Sequence, residues 1–472
     1  MMKRLVCAVV LLTAVAAHAK WCYYKSGKMN CICETSADGS LTNWVFVVET
    51  VAGSPTELKL PDGNGREDGS SYKAGSGVLD LTGFEADTGL KIVSIGGWML
   101  GFVDSLKHKV SGKLVLPDVQ SIGIDTFDFQ DITEVDAPEL TETRSVTGNK
   151  QGAFESCEQL ARVSCPKLMY IGDATFRNCT ALTDVGTLAQ VTYVGSSAFD
   201  ACSSLTAFPM TLPKAEFIGA TAFNGVPLTG DFHLPVVTNV GGWCFTSTSL
   251  TSFHAPKLVC MNGKKTFNGC TSLTNFVAGQ ALRHLGTSAL DPGFPSGLVS
   301  FTPLVPRALT SYYSSAMNGK AKLVSPVVWD CPAVTTIPSG FFSGDSMLSD
   351  ITIGASVTAI STIAFQNIAK GATVRFKGAP PNIADKAFYY KNRGAETSNN
   401  RPRFYIVDKA AVAAWQASTI VTDNAATFEE FKTKPDYPGT RTFGLVKISS
   451  AAADTQYAWV IDGTKGLSVV IR

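Results

Sequence analysis

The chain has 472 residues, with 40 Lys and Arg against 39 Asp and Glu, and only 17% of its residues are charged. Hydrophobic residues make up 45%, which argues against a disordered protein. Balanced charge argues against a nucleic-acid-binding protein, which needs a clustered excess of Lys and Arg. No apolar stretch of about eighteen residues follows residue 19, so a polytopic membrane protein is also excluded. The length allows two or three ordinary domains or one array of repeats.

The first residues are typical of a secretory signal peptide. Lys3 and Arg4 precede an apolar run from Leu5 to Ala17, and small residues end the segment at Ala19. An N-terminal membrane anchor is the alternative, but the apolar run is too short to span a bilayer of ~30 Å. Removal of residues 1–19 leaves 38 basic and 39 acidic residues. We therefore expect a secreted or cell-surface protein in an oxidising environment.

An internal repeat dominates the remaining sequence. The stretches IGDATFRNCTAL from Ile171 and VGSSAFDACSSL from Val194 share one pattern, and related copies follow. Its anchor position recurs at intervals of 22 to 27 residues. The anchors are Phe127, Phe154, Phe176, Phe199, Phe223, Phe245, Phe267, Leu290, Met317, Phe342, Phe365 and Phe388. Such a period indicates a stacked repeat architecture.

Each unit contains a short strand, a glycine turn and a second short segment. In the strand that contains Leu250, Phe253 and Ala255, these three residues are expected to point inward, and Ser252 and His254 outward. A glycine such as Gly241 then allows the turn. The Ala-Phe pair that follows is predicted to lie on a short helical or 3-10 turn, because a unit has too few residues for an ordinary α-helix.

These features predict a repeat solenoid, because one unit cannot bury its own apolar face. We expect about 12 repeats of ~23 residues, with a parallel β-sheet on one face and the phenylalanines stacked inside as a spine. Two anchor positions, Leu290 and Met317, are not aromatic. A local irregularity is therefore predicted at residues 292–306.

The pattern Ile/Val-Gly-x-x-Ala-Phe-x-x-Cys-x-x-Leu-Thr, followed by a strand with proline, resembles the BspA-like, or Treponema-type, leucine-rich repeat. The resemblance covers roughly Ile95 to Phe388. Departures from it include Cys244 in place of Ala and the residues at positions 290 and 317. The resemblance implies a leucine-rich-repeat superhelix. It also implies a secreted or surface-attached protein that binds host or matrix proteins and mediates adhesion.

Four regions are predicted along the chain: a signal peptide at 1–19, a β-rich N-terminal cap at 20–90, the solenoid at 91–400 and a C-terminal cap at 401–472. Caps are expected because a solenoid must cover its terminal apolar faces. The polar segment 62–69 matches no EF-hand spacing and is predicted to be a solvated turn rather than a calcium site. The C-terminal cap should contain a strand at 403–407, a helix at 409–417 and a hairpin formed by 458–461 and 467–471.

The cysteines of the repeats can be interpreted either as free buried thiols or as zinc or disulfide sites. Cys157, Cys179, Cys202 and Cys270 each follow the anchor phenylalanine by three residues, and no C-x₂-C pair is present. A ladder of free buried thiols is therefore favoured over zinc or disulfide sites. Outside the repeats, one bridge from Cys22 to Cys31 or Cys33 is plausible in an exported cap.

No catalytic, cofactor or metal residue is predicted. The sequence has no H-E-x-x-H, G-x-S-x-G or phosphate-loop motif. His233 and His254 fall at outward positions of successive repeats, and two exposed polar side chains are favoured over a metal site there. An enzyme within residues 401–472 lacks a nucleophile–base pairing.

The outward strand positions predict a ligand-binding face, because repeat proteins bind large ligands on extended sheet faces. A protein is the favoured ligand, with no nucleic-acid partner and no membrane span after signal removal. A glycan-binding protein or a structural envelope scaffold is the alternative. The face comprises Glu134, Asp136, Arg162, Asp184, Asp231, His233, Ser252, His254, Asn275, Asp350, Arg375 and Lys377. An aromatic platform on the sheet would favour glycan, and a polar patch would favour protein.

Overall fold

A computed structural model describes most of the repeat region and parts of both ends. Its described residues are 21–26, 29–35, 41–61, 72–74, 77–97, 109–144, 151–261, 263, 265–285, 300–302, 311–312, 326–390, 402–418, 442–449 and 456–462. The predicted signal peptide, the polar turn at 62–69, Leu290, Met317 and the hairpin arm at 467–471 lie outside them, as does the predicted irregularity at 292–306 except for residues 300–302. The chain divides into two compact units, residues 1–209 and 210–472.

The first unit begins with an antiparallel sheet and one short helix. Strands β1, β2, β3 and β4 pair in that order, and β5 pairs with β3. Strand-forming residues such as Trp44, Phe46 and Val48 explain the long third strand. The bounds are β1 Trp21–Ser26, β2 Met29–Thr35, β3 Leu41–Val51, β4 Ser54–Leu60, β5 Tyr72–Ala74 and α1 Phe84–Thr88.

The repeats of the first unit form two parallel ladders of strands. The front sheet is our name for the ladder of strands that carry the predicted outward residues. The side sheet is the ladder of short strands that end before the repeat glycine. The side sheet here is β6 Lys91–Ile95, β8 Ser121–Ile122, β10 Glu142–Thr143, β12 Tyr170–Ile171 and β13 Tyr193–Val194, and β4 pairs in parallel with β6. The front sheet is β7 Ser111–Val115, β9 Asp131–Asp136 and β11 Arg162–Ser164.

The second unit repeats this arrangement. Its side sheet is β14 Phe217–Ile218, β16 Asn239–Val240, β18 Cys260–Met261, β20 His284–Leu285 and β22 Ser311–Tyr312, then β24 Thr336–Ile337, β26 Ala359–Ile360 and β28 Asn382–Ile383. Its front sheet begins with β15 Thr229–His233, β17 Ser249–Ala255, β19 Asn275–Ala278 and β21 Ser300–Thr302. Front strands continue as β23 Val327–Trp329, β25 Asp350–Ile353, β27 Thr373–Phe376 and β29 Arg403–Ile406.

Both units are built from β-solenoid turns, about 10 in all among the described residues, which confirms the predicted fold class. The sequence anticipated one parallel sheet face, whereas the repeats of each unit have two ladders of parallel strands, because the second short segment of a repeat also pairs with its neighbours. Within the front strand of one repeat, Leu250, Phe253 and Ala255 are buried, while Ser252 and His254 are half-buried, as the alternating pattern predicts.

The predicted helical turn at each Ala-Phe pair is instead a series of linked turns. In the repeat around Phe176, Ala174 and Asn178 have φ angles of 52° and 59°, so left-handed residues interrupt any helix on both sides of the ring. This conformation turns backbone N–H groups toward the neighbouring repeat. The Phe176 N–H donates to the Ala198 carbonyl at 2.8 Å, and Asn178 N–H donates to the Asp200 carbonyl at 2.9 Å.

The phenylalanine anchors stack inside the solenoid. Neighbouring rings from Phe127 to Phe199 have centroids 5.4 to 5.7 Å apart and lie nearly parallel. The same stacking joins Phe223, Phe245 and Phe267, and then Phe342, Phe365 and Phe388. These rings are 0 to 2% exposed, so burial of each contributes ~1.5–3 kcal/mol.

The repeat glycine permits close stacking of successive turns. A Cβ at Gly241 would lie 2.3 Å from the backbone nitrogen of Ala220 in the previous repeat. Any larger residue would therefore push two turns apart.

The C-terminal segment closes the second unit with strands and a helix. Helix α2 spans Lys409–Ala417 as predicted, with the Asp408 carboxylate accepting from the Ala410 N–H at 2.9 Å. Strand β31, Gln456–Asp462, pairs with β29 on one edge and with β30, Thr442–Ser449, on the other. The described hairpin is thus β30–β31, and β31 contains the predicted arm 458–461. Within the described ranges, neither helix is long and apolar enough to cross a bilayer.

Candidate functional site

The predicted ligand-binding residues fall into three groups on the front sheet. Glu134, Asp136, Arg162 and Asp184 lie in the first unit, where β9 and β11 pair in register and Arg162 also bridges to Asp184. The second group lies in the second unit, on β15, β17 and β19. The third group, farther along the chain, consists of Asp350, Arg375 and Lys377. Parallel in-register pairing places equivalent outward positions of adjacent repeats side by side.

Charged residues of the first group neutralise one another across the repeats. Lys113 Nζ lies 2.9 Å from Glu134 Oε1 and 3.0 Å from Asp136 Oδ2, and the Arg162 guanidinium lies 3.1 Å from Glu134 Oε2. The hydrogen bonds from Lys113 and Arg162 lower the pKa of Glu134, and those to Glu134 and Asp136 raise the pKa of Lys113. Asp184 Oδ1 accepts from the backbone N–H of Gly186 at 2.8 Å. Lys113, Glu134, Asp136 and Arg162 therefore form a network of ion pairs.

The last group is paired in the same way. Arg375 forms an ion pair with Asp350 of the preceding repeat, and Lys377 Nζ lies 3.7 Å from Asp330 Oδ2. Lys377 comes directly after β27 rather than within it. Its charge is thus also partly compensated, by a residue two repeats earlier.

The remaining group is polar and has no ion pair within the described residues. We call Asp231, His233, Ser252, His254 and Asn275 the polar strip. Asp231 pairs with Ser252 and His233 with His254 across β15 and β17, and Ser252 pairs with Asn275 on β19. Asp231 and His233 are exposed and the other three are half-buried.

Hydrogen bonds order part of the polar strip. Thr251 Oγ1 donates to Asp231 Oδ1 at 3.0 Å, and Asn275 Nδ2 donates to Ser252 Oγ at 3.2 Å. The two histidine rings lie edge to face with centroids 5.3 Å apart, which confirms that they are neighbours. The strip thus offers a carboxylate, imidazole nitrogens, a hydroxyl and an amide on one short stretch of sheet.

Aromatic residues on other surfaces were missed by the sequence reasoning. Tyr170 and Tyr193 stack at 4.3 Å on adjacent strands of the side sheet. Trp243 is 39% exposed on a turn, with Lys265 Nζ 5.0 Å from its ring centroid. The signal for the tyrosine pair was an aromatic residue immediately before the Ile/Val-Gly of two consecutive repeats. The outward positions of β15, β17 and β19 carry no Trp, Tyr or Phe.

The repeat cysteines are free buried thiols, as predicted. Each donates to the carbonyl oxygen of the anchor phenylalanine in the previous repeat: Cys157 to Phe127, Cys179 to Phe154, Cys202 to Phe176 and Cys270 to Phe245, at 2.8 to 3.1 Å. Burial raises the pKa of these thiols, so thiolate chemistry is suppressed at them. Among the described residues, no cluster of three or more His, Cys, Asp or Glu could hold a metal ion.

Comparison with known proteins gives one family match. A family model described as "BspA type Leucine rich repeat region" matches residues 109–229, 209–292 and 296–395 in 6 copies, together more than half of the chain. No curated protein sequence matches the chain.

Solved structures of bacterial proteins are also similar. A leucine rich cell surface protein from Faecalibacterium prausnitzii A2-165 has 18% identity and a TM-score of 0.31, covering 82% of this chain and 88% of its own. A leucine-rich repeat protein from Bacteroides ovatus ATCC 8483 has 18% identity and a TM-score of 0.29, covering 72% and 91%. The pneumococcal vaccine antigen PcpA has 13% identity and a TM-score of 0.35, covering 78% and 93%.

Proposed function

Because the chain belongs to the BspA-type leucine-rich repeat family, we propose that it is a secreted or cell-surface repeat protein that binds a protein ligand through the polar strip. Proteins of this family are generally non-enzymatic repeat scaffolds. Export is supported by the basic and apolar pattern of residues 1–19.

One observation carries the choice of binding site. Elsewhere on the described front sheet, the charged side chains that were predicted to bind ligand form ion pairs with residues of other repeats, at Glu134 and Arg375 for example. Asp184 is the exception among these described residues, and its carboxylate accepts a hydrogen bond from the Gly186 N–H. A paired charge must lose its partner or its solvent before it can bind a ligand, and desolvation offsets much of the gain. The described residues of the polar strip form no ion pair, so a ligand can bind their hydrogen-bonding groups without displacing a charged partner.

A protein fits the polar strip better than a glycan does. Glycan sites commonly use an exposed aromatic ring, and the outward positions of β15, β17 and β19 have no Trp, Tyr or Phe. Three strands spaced ~4.8 Å apart form a small surface. The polar strip would therefore be the centre of an interface of ~800 Å² per partner, with polar residues at its rim.

Site-specific photo-crosslinking tests this proposal. A photoreactive amino acid at Ser252 is expected to label a protein from an extracellular-matrix extract, and the substitution Asp231→Lys is expected to reduce that labelling at least tenfold. The same photoreactive group at Glu158, an exposed position outside the front sheet, is the control, together with Glu158→Lys.

Three results would contradict the proposal. One is equal labelling from positions 252 and 158, and another is unchanged labelling in a folded Asp231→Lys variant. The third is binding to immobilised glycans with no protein labelled, which would favour the glycan-binding alternative. Circular dichroism and the melting temperature verify that each variant is folded.

A further inference from the structure

Two cysteines face each other across the hairpin of β1 and β2. Strands β1 and β2 are antiparallel, and Cys22 is the direct cross-strand partner of Cys33. Their sulfur atoms are 2.7 Å apart. They need to approach by roughly 0.7 Å to reach the ~2.05 Å of a disulfide bond. The backbone therefore already holds both thiols in position for bond formation.

The backbone register selects this pair over the alternative with Cys31. Cys31 lies opposite Tyr24 on β1, and opposite Val47 on β3. A bond from Cys22 to Cys31 would require β1 to slip along β2, which would break the pairing of the whole hairpin.

The residue next to Cys22 fixes β1 against the rest of the first unit. Trp21 is 1% exposed, and its ring packs edge to face on Phe84 of α1 with centroids 5.9 Å apart. The Trp21 backbone N–H donates to Asp87 Oδ2 at 3.0 Å, and its indole Nε1–H donates to the Asp80 carbonyl at 3.3 Å. Among the described strands of its sheet, β1 is the terminal one and has β2 as its neighbour. A covalent bond to β2 would hold this edge strand in place.

We propose that Cys22 and Cys33 form a disulfide bond that fastens β1 to β2 and locks the N-terminal end of the solenoid. The inference concerns a different part of the molecule from the polar strip, and it holds whether or not the strip binds a ligand.

The oxidation needs a partner of the disulfide class, such as oxidised glutathione. The Cys22 thiolate attacks one sulfur of the oxidant, forms a mixed disulfide and releases one thiolate. The Cys33 thiolate then attacks Cys22 Sγ, breaks the mixed disulfide and releases the second thiolate. Two protons and two electrons leave the cysteine pair, and the oxidant is reduced to two thiols.

The surroundings favour Cys22 as the first nucleophile. Cys22 is half-buried and Cys33 is 2% exposed, so an oxidant reaches Cys22 first. The hydrogen bond with Cys33 lowers the pKa of Cys22 to about 7, although partial burial opposes this effect. A substantial thiolate fraction is thus present near neutral pH. The repeat thiols differ in both respects, since Cys157, Cys179 and Cys202 are 0% exposed and their pKa values are raised.

Mass spectrometry of the full chain tests the bond. The purified protein is incubated with oxidised glutathione, denatured, alkylated with N-ethylmaleimide and digested. We expect peptides linked through Cys22 and Cys33, with the repeat cysteines alkylated. The matched control Cys31→Ser should keep the link, whereas Cys22→Ser and Cys33→Ser should lose it.

Hydrogen exchange supplies a second readout on the wild-type chain. Exchange of the β1 amides should be slower in the oxidised protein than in the reduced protein, by roughly tenfold or more. Cys22→Ser should show no such response to the oxidant. Alkylation of both Cys22 and Cys33 after oxidation would overturn the proposal. A link to Cys31 in the wild type, or exchange unaffected by oxidation, would do so as well.

Discussion

Buried carboxylates beside the first stacked rings are an unusual feature at the scale of single residues. Asp125 and Asp128 are each 1% exposed, and Glu155 is 6% exposed and forms an ion pair with Arg177. Asp128 Oδ1 has no hydrogen-bond partner among the described residues. Burial, with the nearby charges of Asp125 and Glu155, raises the pKa of Asp128 to about 7. Asp128 is therefore mostly protonated in the folded protein below neutral pH.

The raised pKa of Asp128 should make stability depend on pH. The unfolded chain ionises Asp128 near its ordinary pKa of 3.8, while the folded chain keeps the proton up to about 7. The folded state thus binds more protons between these values, so stability falls as pH rises through this window and stays low above it. We expect a loss of a few kcal/mol, ~4 at most, for a shift of this size.

The substitution Asp128→Asn should remove most of this pH dependence, because a neutral amide of similar shape replaces the ionisable group. Urea unfolding at pH 5 and pH 8 measures the effect. The control Glu158→Gln changes an exposed carboxylate and should leave the difference in stability between the two pH values unchanged. If the Asp128→Asn variant lost as much stability between pH 5 and pH 8 as the wild type does, the pH dependence could not be assigned to Asp128.

The phenylalanine stack is the main stabilising feature at the scale of the repeat. Phe176 lies between Phe154 and Phe199, with centroid distances of 5.7 and 5.4 Å and interplanar angles of 4° and 19°. Its carbonyl accepts from the Cys202 thiol, and its N–H donates to Ala198. One residue thus joins three successive repeats through its ring and its backbone.

Truncation of this ring should leave a cavity that the stack cannot fill. We expect Phe176→Ala to lower the free energy of unfolding by about 3–5 kcal/mol. Phe129 is the matched control, because it is 49% exposed on a turn of the same unit. Phe129→Ala should cost about 0.5 kcal/mol or less. Chemical denaturation of both variants measures the difference, and equal losses would show that the buried stack is not the source of stability.

Charge is balanced over the whole molecule and also locally. The net charge is +1, and ion pairs connect front strands of neighbouring repeats, such as Lys109 with Asp131 at 3.0 Å and Lys113 with Glu134 at 2.9 Å. Such pairing leaves little long-range electrostatic potential to attract a polyanion.

The full chain should therefore pass through a DNA-cellulose column at physiological salt without retention. A basic protein of similar size is the positive control for the column. Retention that weakens steeply with added salt would indicate clustered cationic groups and would contradict the exclusion of nucleic-acid partners.

The sequence alone determined the repeat, its register of inward residues and the free state of the repeat thiols. This was possible because buried positions recur with the period of the sequence repeat. Phe176, Phe199 and Cys179 occupy positions that point to the interior in every stacked repeat. Helix α2 was also predictable, since Asp408 is a local capping signal. These features depend on residues close to each other in the chain.

Only the tertiary structure decided which polar side chains remain available and which turns replace the expected helix. Whether Glu134 is neutralised depends on Lys113 and Arg162, which belong to the repeats before and after it. The left-handed turns exist because Phe176 and Asn178 direct their N–H groups to the next repeat. Pairing between repeats depends on register and side-chain reach, and the period of a sequence specifies neither.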